Sequence, residues 1–176
     1  MTAVSTTDKT ASAGPGWEIR PATGADWPDI WAVMEPTIRA GETYALRRDM
    51  TEAEARAYWL AAHHETYVAE DDGRVVGTYF LRPNQPGPGS HVGNCGYMTS
   101  PAAQGRGVAR AMCEHSQARA RERGFRAIQF NFVVSTNVRA VALWKGMGFA
   151  VAGVLPGAFE HPAHGYVDAY VMFKTL

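Results

Sequence analysis

Helix-like segments interrupt a series of strand-like segments at three points along this chain. Strand patterns occupy residues 17–23, 66–70, 74–82, 92–99, 126–134, 149–156 and 165–176; helix patterns occupy 25–41, 51–64, 105–123 and 140–147. Because the helices are interleaved with the strands, both faces of the resulting sheet need cover. The order predicts an α/β (α+β) fold with a mixed sheet of about seven strands and helices on both faces.

Local signals set several of these boundaries. Thr51 followed by Glu54 is a capping box that begins the second helix, and Pro36 is expected to kink or divide the first. The Asp-Asp-Gly run at 71–73 predicts a β-hairpin, and the Pro- and Gly-rich stretch 82–91 predicts a loop. A second loop, rich in Pro, Gly and His, is predicted between the last two strands.

Composition restricts the domain count and the partners. The chain has 176 residues, 46% hydrophobic and 19% charged, which is typical of one globular domain, here 17–176. The polar segment 1–16 is expected to be a disordered tail. The formal net charge is zero, so nothing favours nucleic acid or a membrane surface, and no apolar run approaches the ~20 residues that span a bilayer. Two cysteines make no disulfide framework and indicate a reducing cytoplasm.

A glycine-flanked helix start predicts an anion site. Gln104, Gly105, Arg106 and Gly107 lie where the third helix begins, and backbone N–H groups there have no intrahelical partner. Glycine lets a phosphate approach the main chain closely, and Arg106 and Arg110 add positive charge. The alternative interpretation is a flexible loop-to-helix junction.

Two other phosphate-binding motifs do not fit this stretch. A Rossmann fingerprint needs a third glycine where Arg110 stands, and an acidic residue roughly 20 positions further on. The strand there offers Gln129 and Asn131 instead. A P-loop needs Lys followed by Ser or Thr, and neither follows Gly107.

The remaining pattern is Gln104-x-x-Gly107-x-Ala109 on a strand-to-helix turn, followed from residue 135 by STNVRAVALWKGMGF. The second segment contains Asn137-x-x-Ala140 and the pair Gly148-Phe149. In this order the motifs resemble the GCN5-related N-acetyltransferase (GNAT) family, and the resemblance covers about residues 17–175.

The resemblance implies a mostly antiparallel sheet with a splayed central parallel pair, here strands 92–99 and 126–134. It implies acetyl-CoA as co-substrate and no metal. Backbone N–H groups of residues 105–109 would hold the pyrophosphate, and Asn137 with the following helix would flank the pantetheine arm. The implied cofactor-binding residues are Met98, Thr99, Gln104, Gly105, Arg106, Gly107, Val108, Ala109, Arg110, Asn137, Ala140 and Trp144.

Gly93 and Gly96 bracket Asn94-Cys95, and glycines inside a strand usually mark a bulge or a close backbone approach. We interpret them as a bulge; the alternative for Gly96 is a tight contact with a neighbouring helix. The family uses such a bulge to separate the parallel strands. A freed N–H near Tyr97 or Met98 would then bind the thioester carbonyl and stabilise the oxyanion.

Asparagine is depleted in strands, yet Asn94 and Asn131 each stand in one. If the two strands are neighbours, both amides converge on a small acceptor; otherwise each pairs with nearby backbone groups. Asn94, Asn131 and Tyr97 are the predicted catalytic residues. The predicted substrate-binding residues are Glu42, Tyr44, Asn94, Asn131 and His164.

The sequence does not assign the groups that would protonate the thiolate and deprotonate the amine. Many family members have Tyr where this chain has Trp144, and an indole N–H is no usable acid. The base candidates are Glu42, His91, Asp168, Tyr97 or a water chain. The stretch 160–168 holds two histidines and one carboxylate, but nothing else supports a metal triad, so we interpret it as a rim of the acceptor pocket.

The predicted function is transfer of acetyl from acetyl-CoA to a small-molecule amine by direct attack. GNCGYM, FNFVVSTN and LPGAFEHPAHGYVDAYVM resemble a subgroup that acetylates proline analogues such as azetidine-2-carboxylate. The alternatives are a phosphinothricin-type acetyltransferase, suggested by GETYA, and a non-catalytic acyl-CoA sensor, suggested by Trp144. The oligomeric state stays open, with a homodimer as one option.

Overall fold

Seven strands form one sheet in the order β1-β2-β3-β4-β5-β7-β6. The structure, a computed structural model, describes residues 17–176, so the predicted tail 1–16 lies outside the described residues. All neighbours pair antiparallel except β4 and β5, as predicted. The strands are β1 Glu18–Pro21, β2 Glu65–Asp71, β3 Arg74–Pro83, β4 Val92–Thr99, β5 Ala127–Val134, β6 Ala150–His161 and β7 Gly165–Thr175.

Four α-helices cover both faces, in the predicted order: α1 Trp27–Ala40, α2 Glu52–Trp59, α3 Val108–Glu122 and α4 Val138–Gly146. The capping box of Thr51 and Glu54 is present, but α2 ends earlier than predicted. Pro36 lies inside α1 without dividing it. Helix α3 begins at Val108 rather than 105, because Gly107 adopts a left-handed conformation that ends the preceding turn.

Each face of the sheet carries its own apolar core. Helices α1 and α2 bury Ile30, Met34 and Trp59 against one face. Helices α3 and α4 bury Met112 and Trp144 against the other. Because side chains alternate along a strand, neighbouring residues of β4 and β5 contribute to opposite cores. The cores therefore fix which face each residue of the central strands presents.

The parallel pair separates almost at once. β4 and β5 pair only at Val92–Ala127 and Gly93–Ile128, and beyond these positions the strands diverge. The expected bulge at 93–96 is wrong, since β4 keeps an unbroken register with β3. The register shift lies instead in β5, between Phe130 and Val133.

Glycine is needed at position 96 for a reason other than the expected bulge. A Cβ there would lie 2.7 Å from Cε1 of Phe80 and 3.2 Å from the hydroxyl oxygen of Tyr44. Phe80 belongs to β3, and Tyr44 follows α1. The glycine therefore makes room for two aromatic rings, a close approach to side chains rather than to a helix backbone.

Both hairpins are formed, but the second is longer than predicted. Asp72 and Gly73 have φ values of 47° and 77°, as a two-residue turn between β2 and β3 requires. The predicted loop after residue 156 is largely strand, since β6 continues to His161. A register shift between Leu155 and Phe159 absorbs Pro156 and Gly157, and the Gly157 N–H donates to Oδ1 of Asp168 at 2.9 Å.

His64 makes stability depend on pH. Its ring stacks on Phe80 at 4.2 Å between centroids, and its Nδ1 donates to the carbonyl oxygen of Trp59 at 3.2 Å. Burial lowers the pKa of His64 from 6.5 to about 4. The unfolded chain takes up this proton at higher pH than the folded chain, so the free energy of unfolding falls as pH drops from 6.5 towards 4.

We expect His64→Gln to remove part of this loss of stability at low pH. Between about pH 7 and about pH 5 the variant should lose about 1 kcal/mol less stability than the wild type, after allowance for the half-exposed ring. Urea denaturation at both pH values measures it. His91, which is exposed and bonds to the Pro88 carbonyl, serves as the matched control, since His91→Gln should keep the wild-type dependence. Equal losses in the wild type and His64→Gln would contradict this account.

Candidate functional site

A cavity of about 970 Å³ occupies the gap where β4 and β5 diverge. Its walls come from β3, β4, β5, the segment after α1, and the first turns of α3 and α4. Of the sequence-predicted site residues, it is lined by Glu42, Tyr44, Asn94, Tyr97, Met98, Thr99, Gln104, Gly105, Gly107, Val108, Ala109, Arg110, Asn131, Asn137, Ala140 and Trp144. The cavity is therefore lined by nearly every residue that the sequence predicts for the site.

The glycine turn lies at one end of this cavity. Gly105 and Gly107 have φ values of 77° and 92°, and a Cβ on either would meet nothing within 4 Å. The turn is therefore open on the side where an anion would bind. The first N–H groups of α3 lack intrahelical partners and point outwards from the helix start. Within the turn, the Arg106 N–H is already bonded to the Ala103 carbonyl at 3.3 Å.

The start of α4 forms an adjacent wall. Asn137 caps the helix, its Oδ1 accepting from the Ala140 N–H at 3.3 Å. Trp144 is 8% exposed, and its ring lies 5.1 Å from those of both Tyr97 and Phe130. The indole is thus a packing group of the core that also borders the cavity.

The ladder between β3 and β4 decides which backbone groups face the gap. The Asn84 N–H donates to the Val92 carbonyl, and the Ser100 N–H donates to the Val76 carbonyl. Between these two ends of the ladder, every second residue pair is therefore hydrogen-bonded. Met98 pairs with Thr78 in that series, and its N–H points to β3. Tyr97 falls between bonded pairs, so its N–H points into the gap.

The side chain of Tyr97 is committed elsewhere. Its hydroxyl lies 2.7 Å from Oγ of Ser116 on α3, and burial raises its pKa well above the ordinary value. Its backbone carbonyl accepts from the Tyr44 hydroxyl at 2.8 Å. Tyr97 therefore presents a backbone N–H to the cavity, and its phenol is a poor candidate for a base.

Cys95 is not a nucleophile candidate. Burial raises the pKa of its thiol to about 12, so it stays protonated near neutral pH. Cys95 and Cys113 are both buried and free. Cys95 therefore behaves as a small buried hydrophobic residue.

Asn94 bridges the separated strands. Its Nδ2 donates to the Gln129 carbonyl at 2.9 Å, which supplies the cross-strand bond that the parallel ladder no longer makes. Asn131 is exposed to the cavity and belongs to a chain of amides. Its Oδ1 accepts from Gln129 Nε2 at 2.8 Å, and its Nδ2 donates to Asn84 Oδ1 at 2.7 Å.

Four predicted residues lie outside the cavity lining. Arg106 pairs with Asp71 at 3.0 Å and lies 4.7 Å over the Trp17 ring, while His164 packs on His161 with centroids 4.5 Å apart. His91 bonds to the Pro88 carbonyl, and Asp168 accepts from Gly157. Between residues 17 and 176, no cluster of three His, Cys, Asp or Glu is placed to hold a metal ion.

Several lining residues were not predicted from the sequence, among them Tyr58, Phe80 and Arg82. Arg82 was predicted as the last residue of the strand 74–82 and the first of the loop 82–91, without a role in the site; it stands in β3 directly opposite Asn94. Directly opposed residues share a face of the sheet. A two-residue periodicity through Thr78, Phe80 and Arg82 is the signal that could have placed Arg82 beside Asn94.

We call one side of the cavity the α1 wall: Tyr44, Tyr58, Phe80, Arg82, Asn94 and Asn131. Its strand residues point to the face covered by α1 and α2, whereas Tyr97 and Phe130 point to the other core. The cavity thus has the glycine turn and α4 at one end and the α1 wall at the other. In the described range 17–176, no helix is long and apolar enough to cross a membrane.

Known proteins are similar to this chain in sequence and fold. The model of the acetyltransferase (GNAT) family matches residues 27–149. A GCN5-related N-acetyltransferase from Kribbella flavida is 46% identical, covering 92% of this chain and 98% of its own, with a TM-score of 0.88. The N-acetyltransferase aca1 of Schizosaccharomyces pombe is 30% identical over 76% of this chain and 72% of its own.

A phosphinothricin acetyltransferase from Sinorhizobium meliloti, solved in complex with AcCoA, is 21% identical. It covers 92% of this chain and 89% of its own with a TM-score of 0.80, which shows the shared fold. The family model matches more than half of this chain, and it ends at the Gly148-Phe149 pair. The chain therefore belongs to the acetyltransferase (GNAT) family.

Proposed function

We propose that this chain transfers the acetyl group of acetyl-CoA to the nitrogen of a small amine that carries a carboxylate, with azetidine-2-carboxylate as the representative acceptor. The observation that carries the proposal is the single cavity joining the glycine turn to the gap between β4 and β5. A molecule with a pyrophosphate at one end and a thioester at the other spans these two places. Acetyl-CoA supplies an activated acetyl group when it is bound.

The chain's own groups have distinct tasks in this reaction. The turn at Gly105 and Gly107 binds the pyrophosphate through backbone N–H groups, and Asn137 orients the start of α4 beside the pantetheine arm. The Tyr97 N–H donates to the thioester oxygen and stabilises the charge that develops there. The amine nitrogen forms the new C–N bond as the C–S bond breaks and the sulfur leaves with the electron pair.

One proton must leave the ammonium before attack, and a second leaves the nitrogen to water as the amide forms. The departing thiolate needs none from the protein. Glu42 is the only carboxylate lining the cavity among residues 17–176, and it stands at the exposed rim after α1. We assign it to accept the first of these protons, the one lost before attack, directly or through water. A thiol whose pKa lies near the ~8.5 of free cysteine leaves as thiolate without an acid.

The identity of the acceptor rests on the α1 wall. Asn94 contributes an amide oxygen to a compact space, and Asn131 contributes an exposed amide group. These two groups suit a small secondary amine. The sequence stretches that resemble proline-analogue acetyltransferases lie in β4, β5 and the β6–β7 hairpin. The buried free cysteines support a reducing compartment such as the cytoplasm.

A phosphinothricin-type activity is the second candidate. It is favoured by GETYA at 41–45, four of whose residues, 42–45, line the cavity. Both candidates place an amine and a carboxylate at the α1 wall. They differ in the size and charge of the remainder of the acceptor.

Release of free thiol from acetyl-CoA with a panel of amines tests the proposal. The panel should contain azetidine-2-carboxylate, proline, phosphinothricin and an amine without a carboxylate. We expect the cyclic imino acid to give the highest kcat/KM. Tight binding of acetyl-CoA with no turnover of any amine would support a sensor and overturn the proposal.

Trp144→Tyr tests the absence of a protein acid. Since the indole is a packing group, the tyrosine variant should keep turnover within about tenfold of the wild type. Trp144→Ala should instead lose about 3–5 kcal/mol of stability, because it empties space beside Tyr97 and Phe130. Steady-state kinetics and urea denaturation measure the two effects. Collapse of turnover in a folded, CoA-binding tyrosine variant would show a specific role for the indole.

A further inference from the structure

Arg82 is a half-buried arginine whose Nε has no hydrogen-bond partner among the described residues. The same Nε is inaccessible to solvent. The ion pairs of the described chain do not include Arg82 either. An unpaired buried donor on a charged group is costly, so such groups normally have a partner in the functional state.

The surroundings of Arg82 are aromatic. Its guanidinium carbon lies 6.0 Å from the centroid of the Phe80 ring, and Phe80 in turn contacts Tyr58 and His64. Burial keeps the pKa of His64 near 4, so that ring adds no charge near neutral pH. The aromatic rings lower the local polarity, which strengthens the attraction of the guanidinium for an anion.

The position separates Arg82 from the cofactor end of the cavity. The other arginines that line it are Arg110, in the first turn of α3, and Arg139, in the first turn of α4. Arg82 stands on the α1 wall, opposite Asn94 across the β3–β4 ladder. Among the described lining residues it is the one cation on that wall, beside the amides of Asn94 and Asn131.

We infer that Arg82 binds the carboxylate of the acceptor and selects amines that carry one. The inference rests on the proposed acetyl transfer and adds the group that recognises the acid end of the substrate. A planar guanidinium presents parallel N–H donors that match the two oxygens of a carboxylate. With the carboxylate held there, the acceptor nitrogen is directed towards the gap that the Tyr97 N–H faces.

The test compares two acceptors of nearly the same shape, azetidine-2-carboxylate and azetidine-2-carboxamide, of which only the first carries a negative carboxylate. Arg82→Met keeps much of the length of the side chain and removes the charge. Arg82→Lys keeps the charge but loses the parallel N–H donors of the guanidinium. Arg74→Met is the matched control, because Arg74 is exposed on the same strand. Acetyl-CoA affinity and melting temperature are measured alongside to confirm folding and cofactor binding.

We expect Arg82→Met to lower kcat/KM for the carboxylate by about 10-fold or more, while the value for the carboxamide changes less than about threefold. Arg82→Lys should lose less for the carboxylate, and Arg74→Met should match the wild type with both acceptors. An equal loss for both acceptors, or weaker acetyl-CoA binding in Arg82→Met, would overturn the inference.

Calorimetric binding of azetidine-2-carboxylate to the CoA-bound protein separates this inference from the proposed function. Equal affinities for the wild type and Arg82→Met, or no binding to the wild type, would remove the role of Arg82. Failure of the wild type to acetylate any amine would instead overturn the acetyl transfer. Equal turnover of the carboxylate and the carboxamide by the wild type would leave acetyl transfer intact and exclude selection by Arg82.

Discussion

Gly107→Glu will abolish the thermal stabilisation that acetyl-CoA confers on this protein. A ligand that binds only the native state stabilises it by about 2.7 kcal/mol at about 100 times its Kd. Gly107 caps α3 with a φ of 92°, and the space above it is open. A carboxylate placed there would repel the pyrophosphate and fill the space that the anion needs. Melting curves with and without acetyl-CoA measure the loss.

The substitution also strains the backbone, so a matched control is needed. A side chain at a left-handed position costs about 1 kcal/mol whatever its charge. Gly73 has a φ of 77° with nothing within 4 Å of an added Cβ, and it lies in the β2–β3 turn, outside the cavity lining. Gly73→Glu should lower the melting temperature of the free protein similarly and keep the full shift with acetyl-CoA. If acetyl-CoA raises the melting temperature of Gly107→Glu as much as that of the wild type, the glycine turn does not bind the cofactor.

The sequence was sufficient for the order of elements because each carries local signals. The capping box of Thr51 and Glu54, the Asp72-Gly73 turn and the aromatic, β-branched β5 are all encoded within a few residues. The glycine turn is of the same kind, since positive φ at Gly107 is a local requirement. These features needed no knowledge of what packs against them.

Contacts between distant residues could not be obtained this way. The motif pattern led to a bulge in β4, whereas the register shift lies in β5, because register depends on pairing with β7. Gly96 is small because Phe80 and Tyr44 approach it, and neither is near it in sequence. The side chains of Arg106 and His164 have partners outside the cavity, Asp71 and His161, which spacing along the chain does not reveal.

The roles of the two asparagines illustrate the same limit. Both were expected to converge on the acceptor or to pair with backbone groups. In the structure Asn94 does pair with a backbone group, the Gln129 carbonyl, while Asn131 presents its amide to the cavity within a side-chain network. The two residues are therefore expected to behave differently when they are replaced.

Asn131→Ala should lower kcat/KM for the amine by about 10-fold or more and leave acetyl-CoA affinity nearly constant, since a hydrogen bond to a charged group is worth ~1.5–3 kcal/mol. Asn94→Ala should lower kcat/KM for the amine as well and also weaken acetyl-CoA binding, because loss of the bond to Gln129 releases the spacing of β4 and β5. Steady-state kinetics and calorimetry measure the two quantities for each variant.

Asn84→Ala separates recognition of the amine from support of the network. Asn84 accepts from Nδ2 of Asn131 but does not line the cavity, so its removal frees the Asn131 amide without taking it away. We expect less than about a threefold change in kcat/KM for Asn84→Ala, since the hydrogen bond to the substrate is kept. If Asn84→Ala and Asn131→Ala lose the same activity, Asn131 supports the wall and does not bind the amine. If both retain wild-type efficiency with the best acceptor, neither asparagine takes part in recognition, because a hydrogen bond to a charged substrate cannot be removed without cost.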